Sequence, residues 1–287
     1  MNKLVSVILP NYNHAAFLPE RLDSIFNQTY SNFEVIILDD CSNDNSLQVL
    51  ESYRNHPKVS HFIINTKNTG SPSKQWQKGF DLAKGEYIWI AESDDKAESD
   101  FLEKQVQVLN SQNCDVAVAK TLKFSLKKGV YGELNHPVFK KNEDEILHTN
   151  EILYCPILNV NAAVFKSNLC HLAKTYTSYN IIGDRVFYHE AFLNKAISKN
   201  NDTIAYFRKS GDSVSTLDNR NVAYYKAYFF EHLKFIKNVY KEDEISISLY
   251  NSYVTRFFNR VRYKMTRSEK LSLSFLNMYM QYKRNLK

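Results

Sequence analysis

Three carboxylates, Glu92, Asp94 and Asp95, follow directly after an apolar run at residues 88–90. Like charges at such close spacing repel one another unless a cation or hydrogen-bond donors offset the repulsion. Oxygen ligands of this kind suit hard divalent ions such as Mg²⁺ or Mn²⁺, and a bound metal with open positions is suited to gripping a diphosphate. The alternative is an acidic turn in which Asp95 or Ser93 caps a following helix.

A second pair of carboxylates, Asp39 and Asp40, ends the apolar run at residues 33–38. A carboxylate in this position can accept hydrogen bonds from the N–H groups of a nucleobase. Tyr12, which follows the first apolar run of the chain, could stack on such a base or serve in ordinary packing. Helix capping by residues 42–44 is the alternative role for this segment.

Lys74 stands in the first turn of a predicted helix, after the turn-forming residues 68–73. A lysine there is unfavourable to the helix dipole, yet it is well placed to meet a phosphate. The sequence contains neither a Walker-type phosphate loop nor a G-x-G-x-x-G fingerprint. ATP-driven and dinucleotide-dependent functions therefore lose support.

These residues follow strand-like apolar runs, which alternate with amphipathic helical patterns through the first two-thirds of the chain. The alternation predicts the α/β class, with right-handed crossovers and a mostly parallel, doubly wound sheet. In such sheets the ligand site lies outside the carboxyl ends of the strands, so four polar strand ends could converge on one crevice. The predicted strands are residues 5–9, 33–38, 59–64, 87–91, 116–119 and 160–165, and the predicted helices are residues 17–28, 46–54, 74–83 and 101–111.

The composition is that of a globular protein, with 44% hydrophobic and 24% charged residues. Four cysteines without a CxxC spacing argue for free thiols in a reducing cytoplasm. The apolar run at the N-terminus is too short for a signal peptide, and no stretch approaches the ~20 apolar residues of a membrane span. The aromatic fraction of 14% fits sugar-stacking surfaces and core filling equally well.

The chain changes character after Gly211, since the last 76 residues contain neither Gly nor Pro and carry fourteen Lys/Arg against seven Asp/Glu. Residues 222–239 and 245–263 are predicted to be helices rich in Tyr, Phe and basic residues. They could pack on the rest of the chain, form a homo-oligomer, or lie on an anionic membrane as a peripheral contact. No DNA- or RNA-binding motif accompanies the basic charge, so a nucleic-acid partner is not expected.

Several motifs in a fixed order resemble glycosyltransferase family two, over about residues 4–216. The resemblance is carried by residues 5–13, 28–30, 33–42 and 85–95. It implies the GT-A fold, a Rossmann-like and mostly parallel central sheet flanked by helices. It also implies an inverting transfer of a sugar from a nucleoside-diphosphate donor, for which a UDP-sugar is the expected choice. Residues 217–287 are then a helical, basic C-terminal extension.

The resemblance implies roles for particular residues as well. In the family, the residues matching Tyr12, Asp39 and Asp40 hold the nucleotide. The acidic cluster binds Mn²⁺ or Mg²⁺ on the donor diphosphate, which assigns the metal to Asp94 and Asp95. The predicted nucleotide-binding residues are Pro10, Tyr12, Asp39, Asp40, Asn68, Lys74 and Asp94.

An inverting transfer needs a base that deprotonates the acceptor hydroxyl as this hydroxyl attacks the anomeric carbon. The family places the basic carboxylate at the start of a helix well after the metal site, and Asp184 in the segment 181–187 matches that position. Asp184 is therefore predicted to be the catalytic base. Its alternative role is to cap the helix, and Glu190 is the rival base.

The sequence departs from the family's pattern at several positions. Ser210 stands where many relatives carry a histidine that can contact the metal, which puts one metal ligand in doubt. Glu92 replaces a more common aspartate, and residues 75–76 replace an arginine-containing stretch. Arg208 and Lys209 could neutralise the departing diphosphate, since a cation near a leaving group stabilises developing charge.

Together these residues predict a bacterial, cytoplasmic, metal-dependent glycosyltransferase. Its expected acceptor is a saccharide or lipid-linked saccharide in cell-surface polysaccharide synthesis. The alternative function is a nucleotide-sugar-binding protein of the same fold that has lost catalysis, which the changes at Ser210 and Glu92 permit. A sugar-phosphate nucleotidyltransferase is disfavoured, because the sequence after the first strand lacks the Gly-rich, Arg-containing loop of such enzymes.

Overall fold

The computed structural model describes residues 3–111, 114–139, 144–209, 217–218, 220–242 and 245–287. The chain divides into two units, Met1–Ser210 and Gly211–Lys287. The predicted domain boundary after residue 216 lies outside the described residues. None of the four cysteines forms a disulfide, and all four are among the described residues.

The first unit is built on a sheet whose central strands are continuous runs of buried residues. Strands β1 (Val5–Asn11), β2 (Phe33–Asp39) and β4 (Tyr87–Ile90) are buried along their whole length. They pair in parallel, with β1 between the other two, and β3 (Val59–Ile64) continues the parallel pairing beside β2. Near-continuous apolar sequence is typical of parallel strands because helices cover both of their faces. The four strands that lead into the predicted site are thus confirmed.

Within the described residues ten strands form one sheet, and its main path runs β3-β2-β1-β4-β9-β6-β10-β5. The α/β prediction is confirmed, but the sheet is mixed beyond β4, because β9 runs antiparallel to both β4 and β6. The pair β6–β10 is parallel again. The remaining strands are β5 (Lys96–Ala97), β6 (Val116–Ser125), β7 (Gly129–Glu133), β8 (Asp144–Ile146), β9 (Ala163–Lys166) and β10 (Ala196–Arg208).

One predicted strand begins later than expected. The apolar run at 160–165 starts with a short 3₁₀ turn, Val160–Ala162, and strand β9 begins only at Ala163. The Asn159 side chain accepts a hydrogen bond from the backbone N–H of Ala162 at 3.1 Å and so stabilises the turn. A side-chain cap therefore overrides the strand preference of the apolar residues.

Helices cover the sheet where the sequence predicted them, and their ends differ by a few residues. In α1 the buried residues Leu18, Leu22 and Ile25 recur at helical spacing, as expected for a helix that packs one face on a core. The helices of the first unit are α1 (Leu18–Phe26), α2 (Ser46–Glu51), α3 (Pro72–Leu82), α4 (Phe101–Ser111), α5 (Thr149–Ile152) and α6 (Gly183–Phe192).

The second unit is helical in its described part, as predicted, with α7 (Val222–Glu242), α8 (Ile247–Lys264) and α9 (Leu273–Arg284). Ser246 caps α8 by accepting a hydrogen bond from the Leu249 N–H at 3.1 Å. Between α7 and α8 the His232 ring stacks on Phe257 at 3.6 Å. Among the described helices none is long and apolar enough to cross a membrane.

The buried His136 links Leu158, which precedes β9, to Thr121 of β6 by two hydrogen bonds. His136 accepts a hydrogen bond from the Leu158 N–H through Nδ1 at 3.0 Å, so its Nε2 carries the proton and donates to Thr121 Oγ1 at 2.9 Å. Burial, with the charge of Lys199 as the second cause, lowers the pKa of His136 to about 4. The neutral ring is therefore the form that holds Leu158 and, beside it, Asn159.

We expect this histidine to make stability fall in acid. Its pKa is lower in the folded chain than in the unfolded one, so the unfolded chain binds the extra proton and stability is lost as the pH falls from about 6.5 towards 4. Relative to His136→Gln, the wild type should lose up to ~1.4 kcal/mol of unfolding free energy per pH unit in this window. Urea unfolding of both proteins across the window measures the difference, with the exposed His171→Gln as control. A constant difference would contradict the assignment.

Candidate functional site

The site lies where the carboxyl ends of β1, β2 and β4 meet. Asn11 pairs with Asp39 in the parallel register of β1 and β2, and Ile8 pairs with Ile90 in the register of β1 and β4. The residues that follow these strands therefore share one edge of the sheet. This is the edge at which ligands bind in open α/β sheets.

Asp39 is buried at this edge and holds two loops together. Its Oδ2 accepts hydrogen bonds from Asn11 Nδ2 and Ser42 Oγ, both at 2.7 Å, and its Oδ1 accepts one from the Ser42 N–H at 2.9 Å. Ser42 Oγ in turn accepts a hydrogen bond from the Asn13 N–H at 2.9 Å. Because Oδ1 carries one hydrogen bond, it keeps a lone pair for a further donor.

Asp40 is buried as well, and its carboxylate organises the loop before α3. Oδ1 accepts hydrogen bonds from Asn65 Nδ2 at 2.7 Å and Gln75 Nε2 at 2.9 Å. Thr69 donates from its N–H at 3.0 Å and from its hydroxyl, the latter to Oδ2 at 2.8 Å. With both oxygens engaged by several donors, Asp40 is arranged to position this loop.

The other predicted nucleotide residues surround the same edge. Pro10 is buried in β1, and Tyr12, just beyond the strand, is 44% exposed. The Asn68 Oδ1 accepts a hydrogen bond from the Gly70 N–H at 2.5 Å, and Gly70 takes the left-handed φ of +67° that this turn requires. Lys74 is exposed at the start of α3, with Nζ at 3.4 Å from the Thr69 carbonyl oxygen.

The three carboxylates of the acidic loop have different surroundings. Glu92 accepts a hydrogen bond from the Trp76 Nε1–H at 2.9 Å. Asp95 is buried and accepts from Asn159 Nδ2 and from the Arg208 N–H, both at 2.7 Å. Asp94 is half-buried, and among the described residues nothing donates to its carboxylate.

A buried arginine lies under the acidic loop. The Arg21 guanidinium is fully buried, sits over the Trp89 ring at 4.6 Å and donates to Asn161 Oδ1 at 2.8 Å. Burial lowers the pKa of Arg21 to about 10, while the charges of the loop carboxylates oppose that shift. Burial raises the pKa of Glu92 to about 7, with the charge of Asp94 as the next cause. A resident cation thus offsets part of the repulsion between the clustered carboxylates.

Asp184 lies in the first turn of α6, and its charge contributes to raising the pKa of Glu92 in the acidic loop. Its Oδ1 accepts a hydrogen bond from the Arg185 N–H at 2.7 Å. Burial raises the pKa of Asp184 itself, although the charge of Arg185 opposes the shift. A carboxylate with a raised pKa is a stronger proton acceptor than an exposed aspartate.

The rival base, Glu190, lies near the other end of the same helix, and its carboxylate is hydrogen-bonded there. Its carboxylate accepts hydrogen bonds from the backbone N–H groups of Lys174 at 2.8 Å, Thr175 at 3.0 Å and Tyr176 at 3.3 Å. The Thr175 hydroxyl donates to it as well. These contacts give Glu190 the role of a cap on the segment before α6.

Arg208 is buried and already paired. Its guanidinium donates to Glu20 and, through Nε, to the Asp94 carbonyl oxygen at 2.6 Å. It lies between the rings of Phe17 and Phe124, at 4.5 and 4.2 Å. Lys209 is exposed. Ser210, which stands where many relatives carry a histidine, lies outside the described residues.

Among the described residues the acidic loop offers one carboxylate, that of Asp94, to which no hydrogen-bond donor is directed. Across the described residues there is no group of three or more His, Cys, Asp or Glu side chains arranged to hold a metal ion. Mg²⁺ is commonly held by one or two carboxylates, with substrate phosphates and water as the remaining ligands. Asp94 offers such a carboxylate, whereas both oxygens of Asp95 are engaged.

Sequence reasoning missed the residues that support the site. Arg21 is buried on the same face of α1 as Leu18, Leu22 and Ile25. An arginine among apolar residues at helical spacing could have indicated a buried charge at this position. Asn159 is a similar case, as one of two asparagines within the apolar run at residues 157–165. A charged or polar residue on a core face needs a buried partner, and here the acidic loop supplies the opposing charge for Arg21 and the hydrogen-bond acceptor for Asn159.

Known proteins resemble this chain in sequence and in fold. The family model described as glycosyl transferase family 2 matches residues 6–167. The poly(ribitol-phosphate) β-N-acetylglucosaminyltransferase TarS of Staphylococcus aureus is 30% identical over 220 residues, which cover 74% of this chain and 37% of that protein. The chain therefore spans little more than a third of the length of this relative.

Solved structures share the fold at lower identity. The crystal structure of S. aureus TarS 1–349 in complex with UDP-GlcNAc has a TM-score of 0.69 and 21% identity, and the match covers 99% of this chain and 81% of that one. A mannosyltransferase from Pyrobaculum calidifontis, in complex with GDP-Man and Mn²⁺, has a TM-score of 0.57 and 15% identity, with 99% and 83% covered. The predicted glycosyltransferase-type central sheet flanked by helices is confirmed.

Gly183, which precedes Asp184 in α6, packs closely against Ser73 of α3. A Cβ atom on Gly183 would lie 2.0 Å from Ser73 Oγ and 3.1 Å from the Tyr176 carbonyl oxygen. We expect Gly183→Ala to push α6 away from α3 and to lower the unfolding free energy by ~1–3 kcal/mol.

A double-mutant cycle separates this contact from a general helix effect. Ser73→Ala removes the hydroxyl that the new methyl group meets, so the double variant should recover part of the loss. Urea unfolding of the wild type, both single variants and the double variant measures the coupling. Strict additivity would show that the Ser73 hydroxyl is not the obstacle.

Proposed function

The chain belongs to glycosyl transferase family 2, and from this we propose that it transfers a sugar from a nucleoside diphosphate to a saccharide acceptor. A UDP-linked sugar is the proposed donor, because TarS is named as an N-acetylglucosaminyltransferase and its structure was solved with UDP-GlcNAc. The proposed acceptor is a saccharide or lipid-linked saccharide of a bacterial surface polysaccharide. The proposed location is the cytoplasm.

The position of Asp184 carries the proposal. Its charge acts on Glu92 of the acidic loop, and its Oδ1 accepts a hydrogen bond from the Arg185 N–H at 2.7 Å. The other oxygen is available to take the proton of the acceptor hydroxyl, while that hydroxyl forms its bond to the anomeric carbon and the nucleoside diphosphate departs. Burial raises the pKa of this carboxyl, which strengthens it as a base.

The nucleotide is proposed to lie at the carboxyl ends of β1 and β2. Asp39 keeps a lone pair on Oδ1 for a base N–H, and the exposed ring of Tyr12 can stack on the base. Asp40 shapes the loop that carries Asn68 and leads to Lys74, and the exposed ammonium group is suited to meet a phosphate.

The diphosphate is proposed to lie over the acidic loop. A divalent metal, where bound, would neutralise the charge that develops on the leaving diphosphate. Asp94 would hold it, and Asp95 would keep the loop in place through Asn159 and Arg208. Lys209 is the better candidate for a direct diphosphate contact, because Arg208 is already paired with Glu20.

We expect Asp184→Asn to reduce sugar transfer by roughly 100- to 10,000-fold, because the amide cannot accept the acceptor's proton. The affinity for UDP should stay within about twofold, since Asp184 is not proposed to touch the nucleotide. Initial rates with a panel of UDP-sugars and calorimetric titration of UDP measure the two effects.

Glu190→Gln is the matched control, because it alters a carboxylate on the same helix. It should keep most of the activity. Full activity in Asp184→Asn together with loss in Glu190→Gln would reverse the assignment. UDP binding without transfer in the wild type, under every donor and acceptor tried, would favour the inactive binding protein.

The metal proposal predicts that Mn²⁺ strengthens UDP binding and that Asp94→Asn removes this gain. With one carboxylate as the protein ligand, its loss should cost on the order of tenfold in affinity in the presence of Mn²⁺. Titration of UDP with and without Mn²⁺ measures the gain, and Asp23→Asn, an exposed aspartate on α1, is the control. Equal UDP affinity in both conditions for the wild type would overturn the metal proposal.

A further inference from the structure

The last helix, α9, and the 3₁₀ turn Glu269–Leu271 before it expose large apolar side chains to solvent. Leu271 is 88% exposed and Leu273 is 85% exposed, and Leu276 and Met280 are about half-exposed. Leu273, Leu276 and Met280 follow one another at helical spacing, and the buried Met278 lies on the opposite face of α9. Contiguous exposed apolar residues of this kind mark an interaction site, whereas single ones do not.

An aromatic groove with two cations borders this apolar face. The groove lies between α8 and α9 and has a volume of about 380 Å³. Its aromatic wall includes Phe258 and Tyr282, whose rings stack at 4.2 Å. The Lys283 ammonium lies 5.7 Å from the Tyr282 ring, and Arg262 completes the lining. None of the described lining residues is a carboxylic acid, so the groove favours an anionic ligand.

The charge around the groove is mostly positive. Residues 262–287 contain seven Lys/Arg and a single acid, Glu269. The Glu269 carboxylate accepts a hydrogen bond from the Thr266 N–H at 2.7 Å and is thereby engaged. Lys264 is paired with Asp218. The cations that line the groove therefore face solvent without a carboxylate beside them in the described lining.

We propose that this α9 surface, formed by Leu271, Leu273, Leu276 and Met280 with Arg262 and Lys283, docks on an anionic lipid membrane. The apolar side chains would enter the boundary between headgroups and acyl chains. Arg262 and Lys283 would meet lipid phosphates, and the tyrosines of the groove would lie at headgroup level. Apolar residues flanked by basic and aromatic ones are the composition of helices that lie in a membrane interface.

The positive charge of the α9 surface disfavours a second copy of the chain as its binding partner. A two-fold symmetric contact brings the same patch of both copies together, so the cations of one α9 surface would face those of the other. Like charges across an interface oppose association, whereas an anionic lipid surface attracts them. The described helices contain no membrane span, so the contact is one that lies on the membrane.

Vesicle co-sedimentation of the full chain tests the proposal. The protein should bind vesicles of equal parts phosphatidylcholine and phosphatidylglycerol, and it should bind pure phosphatidylcholine on the order of tenfold more weakly. Leu273→Glu with Leu276→Glu should weaken binding by about tenfold or more, because two charges replace the inserted side chains. Arg262→Gln with Lys283→Gln should do the same and should reduce the dependence on salt.

Matched variants separate the α9 surface from general charge or hydrophobicity. Ile247→Glu changes another half-exposed apolar residue, at the start of α8, and Lys237→Glu reverses an exposed charge on α7. Both should bind anionic vesicles like the wild type. Circular dichroism confirms that each variant keeps its helices, since the changed side chains are exposed.

Three outcomes would overturn the proposal. They are no binding to anionic vesicles, equal binding to neutral ones, or self-association in light scattering that Leu273→Glu abolishes. The test uses neither donor nor acceptor, so it is independent of the proposed transferase activity. Asp184→Asn should bind vesicles like the wild type even if it transfers no sugar.

Discussion

The site depends on a buried cation beneath a cluster of carboxylates. Arg21 is fully buried against Trp89 and interacts electrostatically with Glu92, Asp94 and Asp95. An unpaired charge in a protein interior costs several kcal/mol, and so do three carboxylates without a counter-charge. The buried guanidinium therefore needs the carboxylates as counter-charge, and the carboxylates need the guanidinium. The acidic loop can follow β4 because α1 places a guanidinium under it, and the Asn161 side chain fixes where that guanidinium lies.

The carboxylates of the site divide into those that hold structure and those that face the crevice. Asp40 and Asp95 give both oxygens to internal donors, and each joins segments that are distant in sequence. Asp94 and Asp184 keep capacity for a ligand. Carboxylates of the first kind fix the positions of the loops on which the others depend. Under the proposed function, carboxylates that position loops thus stand beside carboxylates that take part in the chemistry.

The parallel half of the fold could be predicted because its signal is local. Runs such as residues 33–38 are continuously apolar and are followed by polar residues, which fixes both the strand and the edge where the site lies. Strand β10 could not be predicted, because Asn200 and Asp202 interrupt its pattern at the point where its register with β6 shifts. The role of Arg21 depends on contacts between distant segments. Only the folded chain reveals them.

The abundance of aromatic residues is explained in the first unit chiefly by packing. Phe187 on α6 lies 5.9 Å from Trp76, 5.4 Å from Phe80 and 5.8 Å from Phe165. These rings join α6 to α3 and to β9, and all of them are buried. Under the proposed function Asp184 is a catalytic carboxylate, and such a group must be held within about half an ångström of its working position. Rigid rings supply that precision, and Trp76 also donates to Glu92. The aromatic core therefore fixes the helix that carries Asp184 relative to the loop that carries Asp94.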